Sequence, residues 1–196
     1  MKFSHIIKGT AALALAGMLS GCFDVDMDVK VTGVDSVEVT VATSISKEMA
    51  DMAQMQAGET DFCDNSGVVT ETETAIVCTE THNGTFAEAF PPAADDEPQP
   101  TIALVGPKQV KVSFPTSDIS GAFGGAEADD PQTKAMMLQM FKGHAMTIRV
   151  SGGTIIDTNM NKAEDGQSAE LVIPLEEVVS GTAEIPDESY AVVQLP

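Results

Sequence analysis

Between positions 23 and 31 the chain reads FDVDMDVKV, where Asp24, Asp26, Asp28 and Lys30 alternate with Val25, Met27, Val29 and Val31. Successive side chains of a strand point to opposite faces, so this alternation predicts a half-buried β-strand with charges toward water and aliphatics toward a core. SVEVTVATS repeats the pattern with Val37, Val39 and Val41, and TGVDS between the two runs supplies turn residues. An antiparallel pair is the expectation. Residues 68–80 read as extended, and Asn83-Gly84 within IVCTETHNGTFAEAF predicts a hairpin turn. TIALVG and QVKVSF are strand-like. HAMTIRVSGGTIIDTN predicts a hairpin around Gly152-Gly153, and QSAELVIP a last clear strand.

The period lengthens to that of a helix in two places. SKEMADMAQMQAG predicts a helix from Ser46 to Ala57, capped by Ser46 and ended by Gly58. A second helix is predicted over 131–142, with Asp130 as N-cap, Pro131 in the first turn and Gly143 as terminator. LEEVVSG has room for one helical turn. PPAADDEPQP (91–100) and DISGAFGGAEADD (118–130) read as loops. The expected fold class is therefore α+β: a twisted antiparallel sheet with two main helices packed on one face. The domain is expected over 22–180, with 181–196 as a C-terminal tail.

The second helix carries more apolar surface than one packed face requires. At 100° per residue, Met136, Met140, Met137, Phe141 and Leu138 spread over about 200°, and a single face needs about half of that. The first helix carries Met49, Met52 and Met55 in a drifting band. Methionine is unbranched and polarizable and fills irregular apolar space. An apolar space between sheet and helices, lined by Met49, Met52, Met136, Met140 and Phe141, would accept the chains of a lipid; plain core packing is the alternative. The M-x-x-M spacings of Met49 and Met52 and of Met137 and Met140 suit Cu(I), but neither cluster has a neighbouring histidine. The D-x-D-x-D of residues 24–28 opens like a calcium loop, yet Val29 stands where glycine is required and Asp35 where glutamate is. No metal and no cofactor is expected.

Charge narrows the partners. The chain has 30 acidic and 10 basic residues, and the first 21 positions hold two of the lysines and no acid. Such a field repels nucleic acid. Catalytic material is sparse: beyond residue 21 there are two histidines, His82 and His144, and no nucleophile elbow, zinc-protease or phosphate-loop motif. A non-catalytic protein is the expectation.

The N-terminus places it. Lys2 and Lys8 precede the apolar run GTAALALAGML, which is too short to span a bilayer and ends at small residues, the pattern of a signal peptide over 1–21. Leu19-Ser20-Gly21-Cys22 resembles the bacterial lipobox, in which the thiol is lipidated and cleavage leaves Cys22 first. An acylated Cys22 would hold the protein to the lipid bilayer, facing the periplasm in the cell envelope. Phe23, where an aspartate would favour retention at the inner membrane, favours the outer one. Two cysteines remain, Cys63 and Cys78. In an oxidising compartment a disulfide between them is the first reading; a metal site with His82 is the rival, on a poor zinc spacing.

The run GCFDVDMDVKVTGVDSVEVTVATSISKEMADM, with MTIRVSGGTIIDTNM and QSAELVIPLEEV far downstream, resembles the LppM-like family of bacterial lipoproteins. In that pattern an early hairpin leads to a helix, and a late strand–Gly-Gly–strand unit ends near an asparagine, here Asn159, with a final strand after it. The resemblance covers most of 22–180 and implies an exported α+β domain tethered to the envelope. The mycobacterial type is associated with phosphatidylinositol mannosides, which implies a lipid or glycolipid ligand. Two departures matter: AELVIP lacks the tryptophan expected there, and the C-terminal membrane segment of some relatives is missing. The identity of the ligand does not carry over. The alternative is a structural or protein-interaction lipoprotein with a solid core and no small ligand.

Overall fold

Apolar residues at every second position of the first strand, Val25, Met27, Val29 and Val31, set the architecture. The computed structural model describes residues 23–51, 63, 67–91, 98–117, 119 and 131–196. In chain order these form β1 (Phe23–Val31), β2 (Ser36–Ser46), β3 (Val68–Glu71), β4 (Ala75–Thr85), α1 (Phe86–Ala89), β5 (Thr101–Gly106) and β6 (Gln109–Pro115). There follow α2 (Pro131–Met140), β7 (Ala145–Ser151), β8 (Thr154–Thr158), β9 (Asn161–Lys162), β10 (Ala169–Pro174), α3 (Leu175–Ser180) and β11 (Glu188–Gln194). The helix expected from Ser46 to Ala57 is present as helical backbone over 47–51, and residues 52–57 lie outside the described residues.

The strands make two sheets. One has seven strands in the order β3-β4-β2-β1-β7-β10-β9; the other has four, β5-β6-β11-β8. β1 pairs antiparallel with β2, Val29 opposite Val39 and Val31 opposite Val37. On its other side β1 runs parallel to β7. Paired residues share a face, so Val29, Val31, Val37, Val39, Ile148 and Val150 form one apolar surface. It packs against Val110, Val112, Ile155, Ala191 and Val193 of the small sheet, with Phe86 at the margin. The opposite face carries the alternating charges: Lys30 pairs with Glu38, and Arg149 hydrogen-bonds Glu170 from the neighbouring strand.

The mixed α and β content agrees with the expected class, but a single sheet under two main helices gives way to two facing sheets with short helices. The reason lies in the small sheet itself. Its strands carry their own inward aliphatics, and burying these against the large sheet takes the place the helices were expected to occupy. The segment 181–196, expected as a tail, holds β11, which lies between β6 and β8 with Ala191 and Val193 fully buried.

Both predicted glycine hairpins are corrected. Asn83-Gly84 lies inside β4, which pairs with β2 without interruption from Ser36 opposite Thr85 to Ser46 opposite Ala75. The chain turns just afterwards, where Thr85 caps α1: its Oγ1 accepts from the Glu88 amide at 3.3 Å, and Glu88 Oε2 accepts from the Thr85 amide at 2.8 Å. Those hydrogen bonds from Thr85 hold the Glu88 carboxyl below its ordinary range. A Cβ on Gly84 would meet Glu88 Oε2 at 2.7 Å, so a larger residue there would displace the carboxylate that completes the cap.

Gly152-Gly153 is a crossing between sheets, since β7 belongs to the large sheet and β8 pairs with β11 in the small one. A Cβ on Gly152 would stand 2.1 Å from the Val31 carbonyl oxygen, and one on Gly153 would stand 2.3 Å from the Gln194 oxygen. The two glycines let the chain pass between β1 and β11 where no side chain fits. Gly152 also has φ of 109°, outside the range that L-residues adopt readily.

Replacing Gly152 by alanine should therefore destabilise the domain by more than about 2 kcal/mol. The same change at Gly143, left-handed at φ 82° with nothing within 4 Å of its would-be Cβ, should cost only about 1–2 kcal/mol. Urea denaturation of both variants checks the ranking; equal losses would show that the close approach to Val31 contributes nothing.

Candidate functional site

The small sheet does not cover the whole inner face of the large one. Near the start of β1, Val25 and Ile173 pack against Phe141, Leu175, Val178 and Val179, a second apolar cluster roofed by α2 and α3. α3 forms because the chain leaves β10 at Pro174, the residue before the helix, and Gly181 ends it in a left-handed conformation. Leu175, Val178 and Val179, at three- and four-residue spacing, point down to the sheet. α2 sits beside α3, and Lys134 Nζ donates to the Ser180 carbonyl at 3.2 Å, a cation at the carboxyl end of α3.

The rim of this cluster is half-buried: Ile45, Ile119, Met137, Leu138, Met146 and Ile185 touch it and reach solvent. Beside them, Asp24 joins β1 to the segment following α2. Its Oδ1 accepts from the Ala145 amide at 2.9 Å, and its Oδ2 lies 3.1 Å from His144 Nδ1. The His144 carbonyl in turn accepts from the Leu175 amide at 2.9 Å. One carboxylate at the second residue of β1 thus fixes where α2 ends, β7 begins and α3 starts.

The five residues expected to line an apolar space are not brought to one wall. Phe141 is fully buried, the central plug of the second cluster. Met140 is half-buried, and Met49, in the helical stretch after β2, is half-buried too. Met136 points outward, 58% exposed. Met52 lies outside the described residues, as do Met55 and Cys22. Met137, Leu138, Met146 and Ile119 surround the cluster instead. Met146 was legible in principle, since it begins the alternation of Met146, Ile148 and Val150 in β7.

Open clefts occur at the far end of the sheet. One, of about 540 Å³, is lined by Gly152, Gly153, Gln167 and Gln194; its neighbour, of about 410 Å³, by Lys30, Val34, Lys108 and Leu195. Both are surface clefts bordered by the crossing at Gly152.

Cys63 and Cys78 form a disulfide with 5.4 Å between their Cα atoms, closing 15 residues. A loop of that size is worth about 3 kcal/mol in the chain-entropy model. Glu80 is nearby, and a Cβ on Gly67 would press on both sulfurs. With the sulfurs bonded to each other, neither is the thiolate that a zinc site with His82 would use; His82 is exposed on β4. No helix among the described residues is long and apolar enough to cross a membrane.

No family model matches the chain, and no curated protein matches it. Among solved structures it is similar to the folded domain of LppM from Mycobacterium tuberculosis, determined by NMR. The TM-score is 0.49 at 9% identity, over 90% of this chain and 92% of that one. At that identity no residue role passes from one protein to the other.

Truncation at the second cluster separates its plug from its surface. Phe141→Ala should cost about 3–5 kcal/mol, as expected for a buried aromatic ring, and Met136→Ala less than about 0.5 kcal/mol. Thermal unfolding of the two variants reads this directly; a large loss at Met136 would mean that α2 is anchored through its outward side.

Proposed function

We propose that this protein is a non-catalytic bacterial envelope lipoprotein, held to the bilayer by acylated Cys22, that binds an amphipathic envelope lipid at the helix-roofed end of its large sheet. The observation that carries the anchor is sequence: a charged start, a short apolar run and Leu-Ser-Gly-Cys in order. Each buried methylene contributes roughly 0.8 kcal/mol, and two or more acyl chains make attachment lasting. The observation that supports lipid binding is the half-buried rim of Ile119, Met137, Leu138 and Met146 around a solid plug. Such a rim suits acyl chains laid along a surface rather than swallowed into a cavity. Apolar contact there would contribute about 25 cal/mol per Å² removed from water.

The His144–Asp24 couple supports a structural role over an acid–base one, because the same carboxylate holds the Ala145 amide. Phe23 favours the outer membrane over the inner one, with the domain facing the periplasm.

A second reading has an observation in its favour. Phe141 is enclosed by Val25, Ile173, Leu175, Val178 and Val179, which suits an interaction lipoprotein with a solid core and no small ligand.

Native mass spectrometry of the protein extracted gently from its own membrane separates the two. Lipoprotein lipid binding gives a polypeptide that starts at Cys22, carries acyl mass, and retains a further non-covalent lipid. A bare acylated mass, with no uptake of a fluorescent acyl probe, would leave the solid-core reading. Cu(I) titration against a competing chelator should show no saturable site.

A further inference from the structure

The chain is strongly acidic, yet from Pro131 to Ile156 it has no Asp or Glu at all. That stretch contains α2 and the segment behind it, PQTKAMMLQMFKGH, whose basic side chains are Lys134 and Lys142. Lys142 is exposed, and Met136 stands 58% exposed. A large apolar side chain held out in water, on a helix without acids at the end of the domain nearest Cys22, is one that a bilayer interface can cover. Asp24 is bound by His144 and Ala145, and Glu176 and Glu177 lie in the first turn of α3, where the helix dipole favours them.

Position along the fold selects the occupant. β1 begins at Phe23, paired with Ile45, so no spacer separates the domain from Cys22. Asp24, two residues from Cys22, grips His144 and Ala145 just after α2. Two residues reach at most about 7 Å. An acylated Cys22 at the bilayer surface therefore brings the end of α2 to the headgroups. The opposite end of β1 is about 25–30 Å away at strand spacing; there the turn residue Val34, 54% exposed, faces away.

We infer that α2 and its following segment, Pro131–His144, form the face on which the domain rests against the bilayer. Met136 enters the interfacial layer and β1 runs away from the membrane. The inference rests on acylation of Cys22.

The test uses the mature protein, disulfide intact, reconstituted in vesicles of phosphatidylethanolamine and phosphatidylglycerol. A spin label is placed at Met136→Cys or at Val34→Cys, and collision with oxygen is compared with collision with a water-soluble nickel chelate. The expected result is a severalfold higher oxygen-to-nickel ratio at 136 than at 34. Equal ratios at both positions, with acyl mass on Cys22, would overturn the orientation and leave the anchor standing. A label at 136 shielded from both quenchers would mark a protein contact and overturn it too. A mass showing unmodified Cys22 removes the anchor, and the orientation falls with it.

Discussion

The inner face of the large sheet has to be kept from water along its full length, and no one element is long enough to do it. β1 alone presents Val25, Met27, Val29 and Val31 to that side. The four-stranded sheet covers the end at Val29 and Val31, and α2 and α3 cover the end at Val25. Burying each valine contributes about 1.5–3 kcal/mol, so neither cover is dispensable. Everything else follows from dividing one face between two unlike covers: the glycine crossing at 152–153, the placing of β11 inside the small sheet, and the clamp at Asp24.

The two covers differ in character. Sheet against sheet, the contact is made by β-branched residues with fixed rotamers, and Val110, Val112, Val150 and Val193 lose all exposure. Under the helices one ring, Phe141, fills the centre, and the margin is made of methionines and isoleucines left half in water. Rigid packing at one end and an adaptable apolar rim at the other is a division that suits the proposed attachment to a membrane through the residue preceding β1. The long acidic alternation then serves solubility on the outer face, where Asp26 and Asp28 stand beside Arg149 and Lys30.

Strands were legible in the sequence wherever period two held. β1, β2, β5, β6 and β10 lie where alternation or a short aliphatic run put them, and the helix at 131 begins at its proline. What could not be read was which sheet each strand joins. Alternation in β8 and β11 is the same whether they extend the large sheet or face it, and a Gly-Gly pair serves a hairpin or a crossing equally well. Only the proximity of Val31 and Gln194, far away in sequence, decides between them. The arc of apolar residues on α2 was similarly ambiguous: its surplus was visible, but whether Phe141 or Met136 points inward depends on where α3 lies. His144 gave no sign of its tie to Asp24, because the two are 120 residues apart.

Hydrogen exchange of the acylated protein, in vesicles and in a lipid-free buffer with a soluble acyl-free form starting at Phe23, tests the division most directly. Unequal covers predict that amides of Val29–Val31 and of Val110–Val112 exchange slowest in both settings, while those of α2 gain protection only in vesicles. Equal protection of α2 with and without lipid would contradict it, since the helical cover would then be as complete on its own as the sheet.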